Sequence, residues 1–348
     1  MTRIGLIARA DHTGLAIQTW CFWRNMKPAR TLVVDLSRCS GQHPDMSMYE
    51  GDPNVSVWKS SVYPDVRPLP EQILEDFLDD VDAVFTCETP YNTWLFQRAA
   101  EKGVKTVLQP NFEFLDFTAV PQPDVYALPS LWHVDDIKSR LSGRDIIYLP
   151  VPVDTELLPY RQRTELKTIL HTAGVQAMKD RNGTMLFLEA MKFVKTPVHA
   201  LVRSQGELPT RGMVMPGNVR YDFGPKRWFY ELYGDQDLYV MPRRFGGLCL
   251  PMQEALALGM PTLMTGVPPQ KDFLPAELLV QAYYEQSFEA RSGIDVFSSI
   301  PQDIAARIDW LYENPDRFAQ LSEWAGQWAR MHSWEALKWR YEKLLSSE

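Results

Sequence analysis

The chain has 348 residues, more than one hydrophobic core usually supports, and this length predicts about two domains. Hydrophobic residues make up 45%, charged residues 23% and aromatic residues 12%, a composition that excludes a mostly disordered chain. The net charge of -8, from 36 basic and 44 acidic residues, excludes attraction of the whole surface to phosphate backbones but allows a local basic groove.

Short apolar runs alternate with segments of helical periodicity in the first half of the chain. Strands are predicted at residues 3–8, 31–36, 55–58, 83–86, 105–108, 125–128 and 146–149. Helices are predicted at residues 15–25, 71–78 and 94–101. This alternation predicts a parallel sheet with helices on both faces.

The alternation breaks at residues 150–167 and then restarts. In the second half, strands are predicted at residues 168–172, 197–203, 237–241 and 261–264, and helices at residues 183–193, 226–232 and 250–258. The tail, residues 301–348, is rich in tryptophan and predicted to be helical.

We therefore expect an α/β fold of two doubly wound, Rossmann-like domains that face each other across a cleft, with C-terminal helices packing across both. The predicted domains are residues 1–158 and residues 159–330, and residues 331–348 are predicted to form a helix that returns to the first domain. No apolar run approaches the roughly 18 to 20 residues that span a bilayer, and the chain starts without the apolar stretch of a signal peptide. We expect a cytoplasmic protein without membrane insertion or an obligate protein partner.

One loop of the second half has the residue types of an anion site. A predicted buried strand ends at Met241, and the loop that follows leads into a helix, where unpaired amides and a positive dipole attract anions. Gly246 and Gly247 allow a phosphate to approach the backbone closely, and Arg243 or Arg244 can donate paired hydrogen bonds to it.

Glu254, inside the helix that follows, can accept hydrogen bonds from sugar hydroxyls. The alternative interpretation is an ordinary turn with solvated arginines and an exposed glutamate.

The same segment resembles the retaining GT-B glycosyltransferases of the group 1 (family 4-like) type, whose loop and helix follow the pattern E-G-F-G-L-P-x-x-E-A-x-A-x-G-x-P. The residues in register with this pattern are Gly247, Leu250, Pro251, Glu254, Ala255, Ala257, Gly259 and Pro261. Gly246 replaces the first glutamate, so the usual carboxylate contact to the transferred sugar is absent or comes from elsewhere. The resemblance implies that the backbone from Gly246 to Cys249, including Leu248, binds the donor diphosphate.

A second segment, which follows the strand predicted from residue 168, resembles the start of the family's donor domain. There a glycine turn precedes basic residues that clamp the nucleotide diphosphate. The resemblance implies that Lys179 or Arg181 fills this role. The choice between them stays open, because their spacing from Gly174 differs by one residue from the family's usual pattern. The alternative is a basic loop before a helix, with Asn182 as N-cap and Gly183 in the turn.

The remaining predicted site residues follow other strands. Arg203 lies at the end of a strand, where it either contacts the base or phosphate of the nucleotide or has a structural capping role. The resemblance implies that the first domain binds the acceptor, with Gly14 in a loop near the donor phosphates. The predicted acceptor-binding residues are Asp11, Gln18, Glu88, Asn92, Asn111, Glu113, Trp132 and His133. Of these, Glu88, Asn111 or Glu113 is expected near the reacting hydroxyl, although each can instead cap a helix or turn.

Other motifs are interpreted as structural. Two D-x-D sequences, Asp80–Asp82 and Asp235–Asp237, precede buried strands, at the edge of the sheet opposite the ligand. His171 is expected to be a core residue. The histidines and four scattered cysteines lack metal-binding spacing, three of the cysteines lie in apolar surroundings, and neither a metal nor a disulfide is expected.

The resemblance implies a metal-independent glycosyltransferase that moves a hexose from a nucleotide-diphosphate sugar, expected to be a UDP-sugar, to a hydroxyl group with retention of configuration. In this mechanism Lys179 or Arg181, together with Arg243 or Arg244, neutralises the leaving diphosphate. Glu254 holds the ribose, and no cofactor is required.

The sequences RNGT and PRRFGGLCLP also resemble transferases carried by bacteriophages. This implies a hydroxymethylated base of phage DNA as acceptor and the host cytoplasm as location. The alternatives are a glycan, glycolipid or virion-protein acceptor, a GT-B-like nucleotide-sugar epimerase, and a binding module without activity.

Overall fold

The computed structural model describes residues 2–40, 45–49, 51–60, 69–87, 93–174, 180–208, 214–224 and 226–346. The chain divides into two compact units, of which unit 1 comprises Met1–Pro152 and Leu337–Glu348 and unit 2 comprises Val153–Ala336. This division into units does not test the domain boundaries predicted after residues 158 and 330, which stay a prediction. Within the described ranges, no helix has both the length and the apolar character required to cross a bilayer.

Unit 1 is built on a seven-stranded parallel sheet. Its strands are β1 (Ile4–Ala8), β2 (Arg30–Asp35), β3 (Val55–Lys59), β4 (Ala83–Cys87), β5 (Lys105–Gln109), β6 (Val125–Leu128) and β7 (Asp145–Tyr148). Their order across the sheet is β3-β2-β1-β4-β5-β6-β7. All five residues of β4, AVFTC, are buried, as expected of a central strand covered on both faces.

The helices of the first part of the chain are α1 (Gly14–Met26), α2 (Ser37–Ser40), α3 (Glu71–Leu78), α4 (Thr93–Glu101) and α5 (Val134–Arg140). The Thr13 side chain caps α1 by accepting a hydrogen bond from the Ala16 amide. Gly14 is the first residue of α1, directly after the turn that contains Asp11 and Thr13. Its predicted role near the donor phosphates stays a prediction.

Unit 2 contains a six-stranded parallel sheet and a separate antiparallel hairpin. The sheet strands are β8 (Thr168–Gly174), β9 (His199–Ser204), β10 (Val219–Phe223), β11 (Leu238–Met241), β12 (Thr262–Thr265) and β13 (Leu279–Val280), and the hairpin strands are β14 (Tyr283–Glu289) and β15 (Gly293–Ser298). The sheet order is β10-β9-β8-β11-β12-β13. Two parallel α/β units confirm the predicted Rossmann-like class of each half.

The remaining helices are α6 (Thr184–Met191), α7 (Leu250–Ala257), α8 (Pro301–Glu313), α9 (Pro315–Met331) and α10 (Trp334–Leu345), which confirms the helical tail. The helix predicted at residues 226–232 is wrong, because only a single 3-10 turn, Phe229–Leu232, forms there. Trp228 is extended on one side, and Gly234 adopts a φ of +52° on the other, so one turn is all that fits.

The strand order reverses beside the first strand of each sheet. This switch point lies between β1 and β4 in unit 1 and between β8 and β11 in unit 2. The connections that follow these strands run in opposite directions, so a crevice opens at their carboxyl ends.

Candidate functional site

The candidate site lies at the switch point of unit 2. We call residues 180–183 the β8 loop and residues 242–249 the β11 loop, since each follows the strand of that name. Most of the predicted donor residues lie on these loops. Three predicted site residues, Lys179, Glu88 and Asn92, lie outside the described residues.

The two loops contact each other directly. The Arg244 amide donates a hydrogen bond to the Arg181 carbonyl oxygen at 2.8 Å. Gly183 has a φ of +69°, and a Cβ at this position would overlap the carbonyl oxygen of Pro242. Only glycine fits such a close approach. The structure therefore brings the two basic segments of the second half together.

Arg243 is buried and lacks a counter-charge among the described residues. Only 4% of its surface is exposed, and its Nε donates to the Phe245 carbonyl oxygen at 3.0 Å. No carboxylate of the described ranges forms an ion pair with its guanidinium. Because a buried charge is unfavourable without a partner, Arg243 is well suited to bind an anion.

The structure also explains why glycine occupies position 246. Gly246 has a φ of +112°, a backbone conformation that other residues rarely adopt, and a Cβ there would overlap Nη2 of Arg243. The guanidinium therefore occupies the space that a side chain at position 246 would need.

Arg244, by contrast, already has a carboxylate partner. Its Nη2 lies 2.6 Å from Oε2 of Glu285, and its Nε donates to the Phe297 carbonyl oxygen at 3.3 Å. Both partners belong to the β14–β15 hairpin. Of the two arginines, Arg243 is therefore the one with a charge to offer a ligand.

Helix α7 begins at the same place. Cys249 is its N-cap residue, but the thiol makes no capping hydrogen bond and lies 3.6 Å from the Met241 sulfur. Among the described residues, no side chain caps the first-turn amides, a feature of helices that bind anions at their N-terminus. Gly247 and Leu248, immediately before the helix, are half-buried.

Glu254 is buried inside α7, with 5% of its surface exposed, and Oε2 accepts a hydrogen bond from the Tyr233 hydroxyl. Burial raises the pKa of Glu254 to about 7, against the lowering effect of the tyrosine. The alternative of an exposed glutamate beside solvated arginines is wrong, because Glu254 and Arg243 are both buried. Tyr233 thereby becomes a candidate site residue that the sequence did not indicate, since no motif links it to Glu254.

In the β8 loop, the Asp180 side chain caps the start of α6, whose N-cap position is Gly183. Its carboxylate accepts hydrogen bonds from the amides of Thr184 and Met185 at 2.8 and 3.0 Å, and burial raises its pKa. The alternative that Asn182 is the N-cap is wrong, because its side chain donates back to the Ala173 carbonyl oxygen at 3.1 Å. The Arg181 guanidinium lies 5.1 Å from the centre of the Phe245 ring.

Arg203, at the end of β9, forms an ion pair with Asp222 on β10. Lys226 also lies 2.8 Å from the Asp222 carboxylate. The charge of Arg203 is therefore partly neutralised within the unit.

In unit 1, two of the predicted acceptor residues are occupied by internal hydrogen bonds. Asp11 is paired with Arg9 and accepts a hydrogen bond from the Thr13 amide at 3.1 Å. Gln18 donates to the side chain of Gln109 at 2.7 Å. Asp11 and Gln18 are both buried, so they contribute to the structure of this edge of the sheet.

Aromatic rings cluster where β5 and β6 end. Phe112 stacks on His133 with ring centres 4.1 Å apart, and Trp132 packs edge-on against Phe112 at 5.5 Å. Asn111 and Glu113 flank Phe112, with Glu113 buried and Asn111 half-buried. The predicted residues Asn111, Glu113, Trp132 and His133 are thus neighbours.

The structural interpretation of the D-x-D sequences is confirmed. Oδ2 of Asp82 accepts a hydrogen bond from the Arg3 amide at 2.7 Å, and Oδ2 of Asp80 lies 2.8 Å from Nη2 of Arg30. Asp237 accepts from the Thr168 amide at 2.9 Å. All of these contacts lie where the strands begin.

The core role of His171 is also confirmed. Its Nδ1 donates to the Val240 carbonyl oxygen at 2.8 Å, its Nε2 accepts from the Thr184 hydroxyl at 2.9 Å, and burial lowers its pKa to about 4. Cys21, Cys87 and Cys249 are buried, which agrees with the prediction that three of the four cysteines lie in apolar surroundings. Across the described ranges, His, Cys, Asp and Glu form no group of three that could hold a metal ion.

Comparison with known proteins identifies the fold. No family model matches the chain, and no curated protein matches its sequence. Among solved structures, HepE of Anabaena in complex with UDP and glucose is 11% identical, with a TM-score of 0.73 over 100% of both chains. The sucrose-phosphate synthase of Thermosynechococcus elongatus is 13% identical, with a TM-score of 0.72 over 99% of this chain and 98% of that chain.

The chain has the GT-B fold. The pneumococcal O-GlcNAc transferase GtfA in complex with UDP and GlcNAc is also similar, at 14% identity and a TM-score of 0.62, over 79% of this chain and 58% of that chain. The GT-B fold predicted from the loop and helix around Glu254 is thereby confirmed.

Proposed function

We propose that the protein is a glycosyltransferase that moves a hexose from a UDP-sugar to a hydroxyl group. The observation that carries this proposal is Arg243, a buried guanidinium without a carboxylate partner among the described residues, beside the uncapped start of α7. The GT-B fold, and structural neighbours bound to UDP and to UDP-glucose, support a nucleotide-diphosphate sugar as the donor.

In the proposed reaction, the bond between the anomeric carbon and the diphosphate oxygen breaks as the acceptor oxygen bonds to the same face of the sugar. Configuration is retained, and the departing phosphate takes the acceptor's proton. Arg243 and the amides of Gly247 and Leu248 stabilise the negative charge on the leaving group, with Lys179 or Arg181 as a second cation. Fixed donors of this kind act without a metal ion. Glu254, held by Tyr233, accepts hydrogen bonds from the ribose.

For the acceptor, we propose a hydroxymethylated base of phage DNA, bound by unit 1 in the host cytoplasm. The resemblance of RNGT and PRRFGGLCLP to bacteriophage transferases supports this choice. The partly exposed rings of Trp132 and His133 also support it, because nucleobases stack on aromatic side chains.

Calorimetric titration with UDP-glucose tests the donor site. We expect the wild type to bind and Arg243→Ala to bind about tenfold or more weakly, since hydrogen bonds to charged groups contribute about 1.5 to 3 kcal/mol. The exposed Arg220→Ala, on β10, is the matched control and should bind like the wild type. Equal affinity of Arg243→Ala and wild type would contradict the assignment, and no binding of any nucleotide-sugar at millimolar concentration would refute the function.

Product analysis tests the chemistry and the acceptor. Incubation with UDP-glucose and duplex DNA carrying hydroxymethylated bases should yield glucosylated DNA, with α-configuration by NMR, unchanged activity in EDTA and a rate that falls steeply with salt. Transfer of glucose to a glycan but not to DNA would contradict the DNA acceptor and indicate a glycan acceptor instead. An altered sugar nucleotide formed without any acceptor would instead indicate an epimerase.

A further inference from the structure

The β14–β15 hairpin lies outside the parallel sheet of unit 2 and packs against the β11 loop. The Phe297 amide donates to the Arg244 carbonyl oxygen at 3.0 Å, and the Phe297 carbonyl oxygen accepts from Nε of Arg244 at 3.3 Å. The Phe288 ring packs edge-on against Phe245, with centres 5.2 Å apart. Backbone, ionic and aromatic contacts therefore join the hairpin to two consecutive residues of the loop.

The Glu285–Arg244 ion pair is the charged part of this contact. The Arg244 side chain is 11% exposed and that of Glu285 is 42% exposed, and their charged atoms lie 2.6 Å apart. A guanidinium this buried requires an acceptor, and the hairpin supplies two, the Glu285 carboxylate and the Phe297 carbonyl oxygen.

Arg244 is held from the other side as well. Its amide donates to the Arg181 carbonyl oxygen of the β8 loop at 2.8 Å. Arg244 thus connects the β8 loop to the hairpin, immediately next to Arg243. The β11 loop also contains Gly246 and Gly247, whose freedom in an unfolded or unsupported loop is large, so external contacts are needed to keep it in one conformation.

We propose that Glu285 is a positioning residue of the donor site, which acts through Arg244 to hold the β11 loop in the conformation that binds the diphosphate. Preorganisation of this kind lowers the cost of ordering the loop when the donor arrives. The identity of the ligand rests on the proposed function, whereas the coupling between hairpin and loop does not.

Hydrogen–deuterium exchange of the free protein tests the coupling without any donor. Glu285→Gln keeps the size of the side chain and removes its charge, and we expect about fivefold faster exchange in peptides covering residues 242–249, the effect of losing one partly exposed ion pair. Glu289→Gln is the matched control, because it makes the same change on the same strand, opposite Gly293. It should leave the exchange of the loop unchanged.

The charge-swapped pair provides the rescue. Arg244→Glu alone should exchange faster in the loop, and adding Glu285→Arg should recover part of the protection. Unchanged exchange in Glu285→Gln, or no recovery in the double variant, would overturn the proposal.

Kinetics with UDP-glucose then separate positioning from simple support of the fold. We expect Glu285→Gln to raise the donor KM about fivefold while the melting temperature stays close to that of the wild type. A KM equal to that of the wild type, or a KM change matched by a large loss of thermal stability, would assign Glu285 no positioning role. Failure of the wild type to bind any nucleotide-sugar would refute the proposed function, and the exchange experiment would still decide whether the hairpin holds the loop.

Discussion

Glu254 illustrates how its surroundings change the chemistry of a single residue. Nothing in the sequence around Glu254 distinguishes it from an ordinary carboxylate. In the structure it is buried against Tyr233, and burial raises its pKa to about 7. A glutamate in the unfolded chain keeps a pKa of 4.5. Folding therefore favours the protonated form between these two values, and stability depends on pH.

The pH dependence gives a test with a definite sign. The raised pKa stabilises the fold below pH 4.5, and this contribution is lost as pH rises to about 7, which amounts to about 3 kcal/mol. Glutamine does not titrate, so Glu254→Gln does not lose this contribution. Relative to the wild type, the free energy of unfolding of the variant should therefore rise between pH 4.5 and about pH 7, and the difference should stay constant at higher pH. Urea unfolding at a series of pH values measures the difference, and a difference independent of pH would contradict the burial of a titrating carboxyl. The exposed Glu289→Gln serves as control.

At the scale of elements, the β8 loop shows how a few residues join a strand to a helix and bring two loops together. Asp180 caps α6, and Asn182 bonds back to β8 through the Ala173 carbonyl oxygen. Gly183 allows the loop to touch Pro242 at the start of the β11 loop. The short loop thus fixes both the start of the helix and the spacing of the two basic segments.

Gly183→Ala should consequently destabilise the protein by about 3 kcal/mol, because it combines a left-handed backbone with overlap against Pro242. Gly103→Ala is the matched control, since Gly103 has nearly the same φ, +68°, with open space around it, and should cost about 1 kcal/mol. Urea unfolding compares the two variants. Equal losses would mean that the close approach to Pro242 contributes nothing.

For the molecule as a whole, residues far apart in the sequence share one unit, since unit 1 combines Met1–Pro152 with Leu337–Glu348. Tyr341 on α10 belongs to unit 1, and its ring lies 5.9 Å from that of Phe22 and 5.8 Å from that of Phe85. Its hydroxyl donates to the Pro150 carbonyl oxygen at 3.0 Å. The core of unit 1 therefore includes a side chain that lies 191 residues further along the chain than Pro150.

Tyr341→Ala should destabilise the protein by about 3 to 5 kcal/mol through loss of this buried ring, and Tyr341→Phe by about 1 kcal/mol through loss of the hydroxyl bond alone. Trp339→Ala, on the same helix and 58% exposed, should change stability by less than about 0.5 kcal/mol. Thermal unfolding of the three variants measures these values. A stability of Tyr341→Ala equal to that of Trp339→Ala would exclude a role of α10 in the core.

Sequence patterns predicted the elements whose apolar residues are consecutive or recur at regular spacing. Strands such as β4 and β11 are short runs of apolar residues, and the helix predicted at residues 71–78 has the same bounds as α3. The hairpin was not predicted, because β14, YYEQSFE, is mostly exposed and carries no apolar run. The helix predicted at residues 226–232 failed because its end points depend on the backbone of Trp228 and Gly234, which periodicity does not encode.

The two parallel α/β units and the grouping of arginines and glycines after β11 could be predicted from the sequence alone, because alternation and turn residues are local properties of the chain. The folded structure was needed to show that Glu285 is the partner of Arg244, that Tyr233 donates a hydrogen bond to Glu254, and that Arg243 is buried without a carboxylate partner among the described residues. Each of these pairings joins residues on different elements. Partners of this kind are set by strand order and by the paths of loops, and no spacing along the chain specifies them.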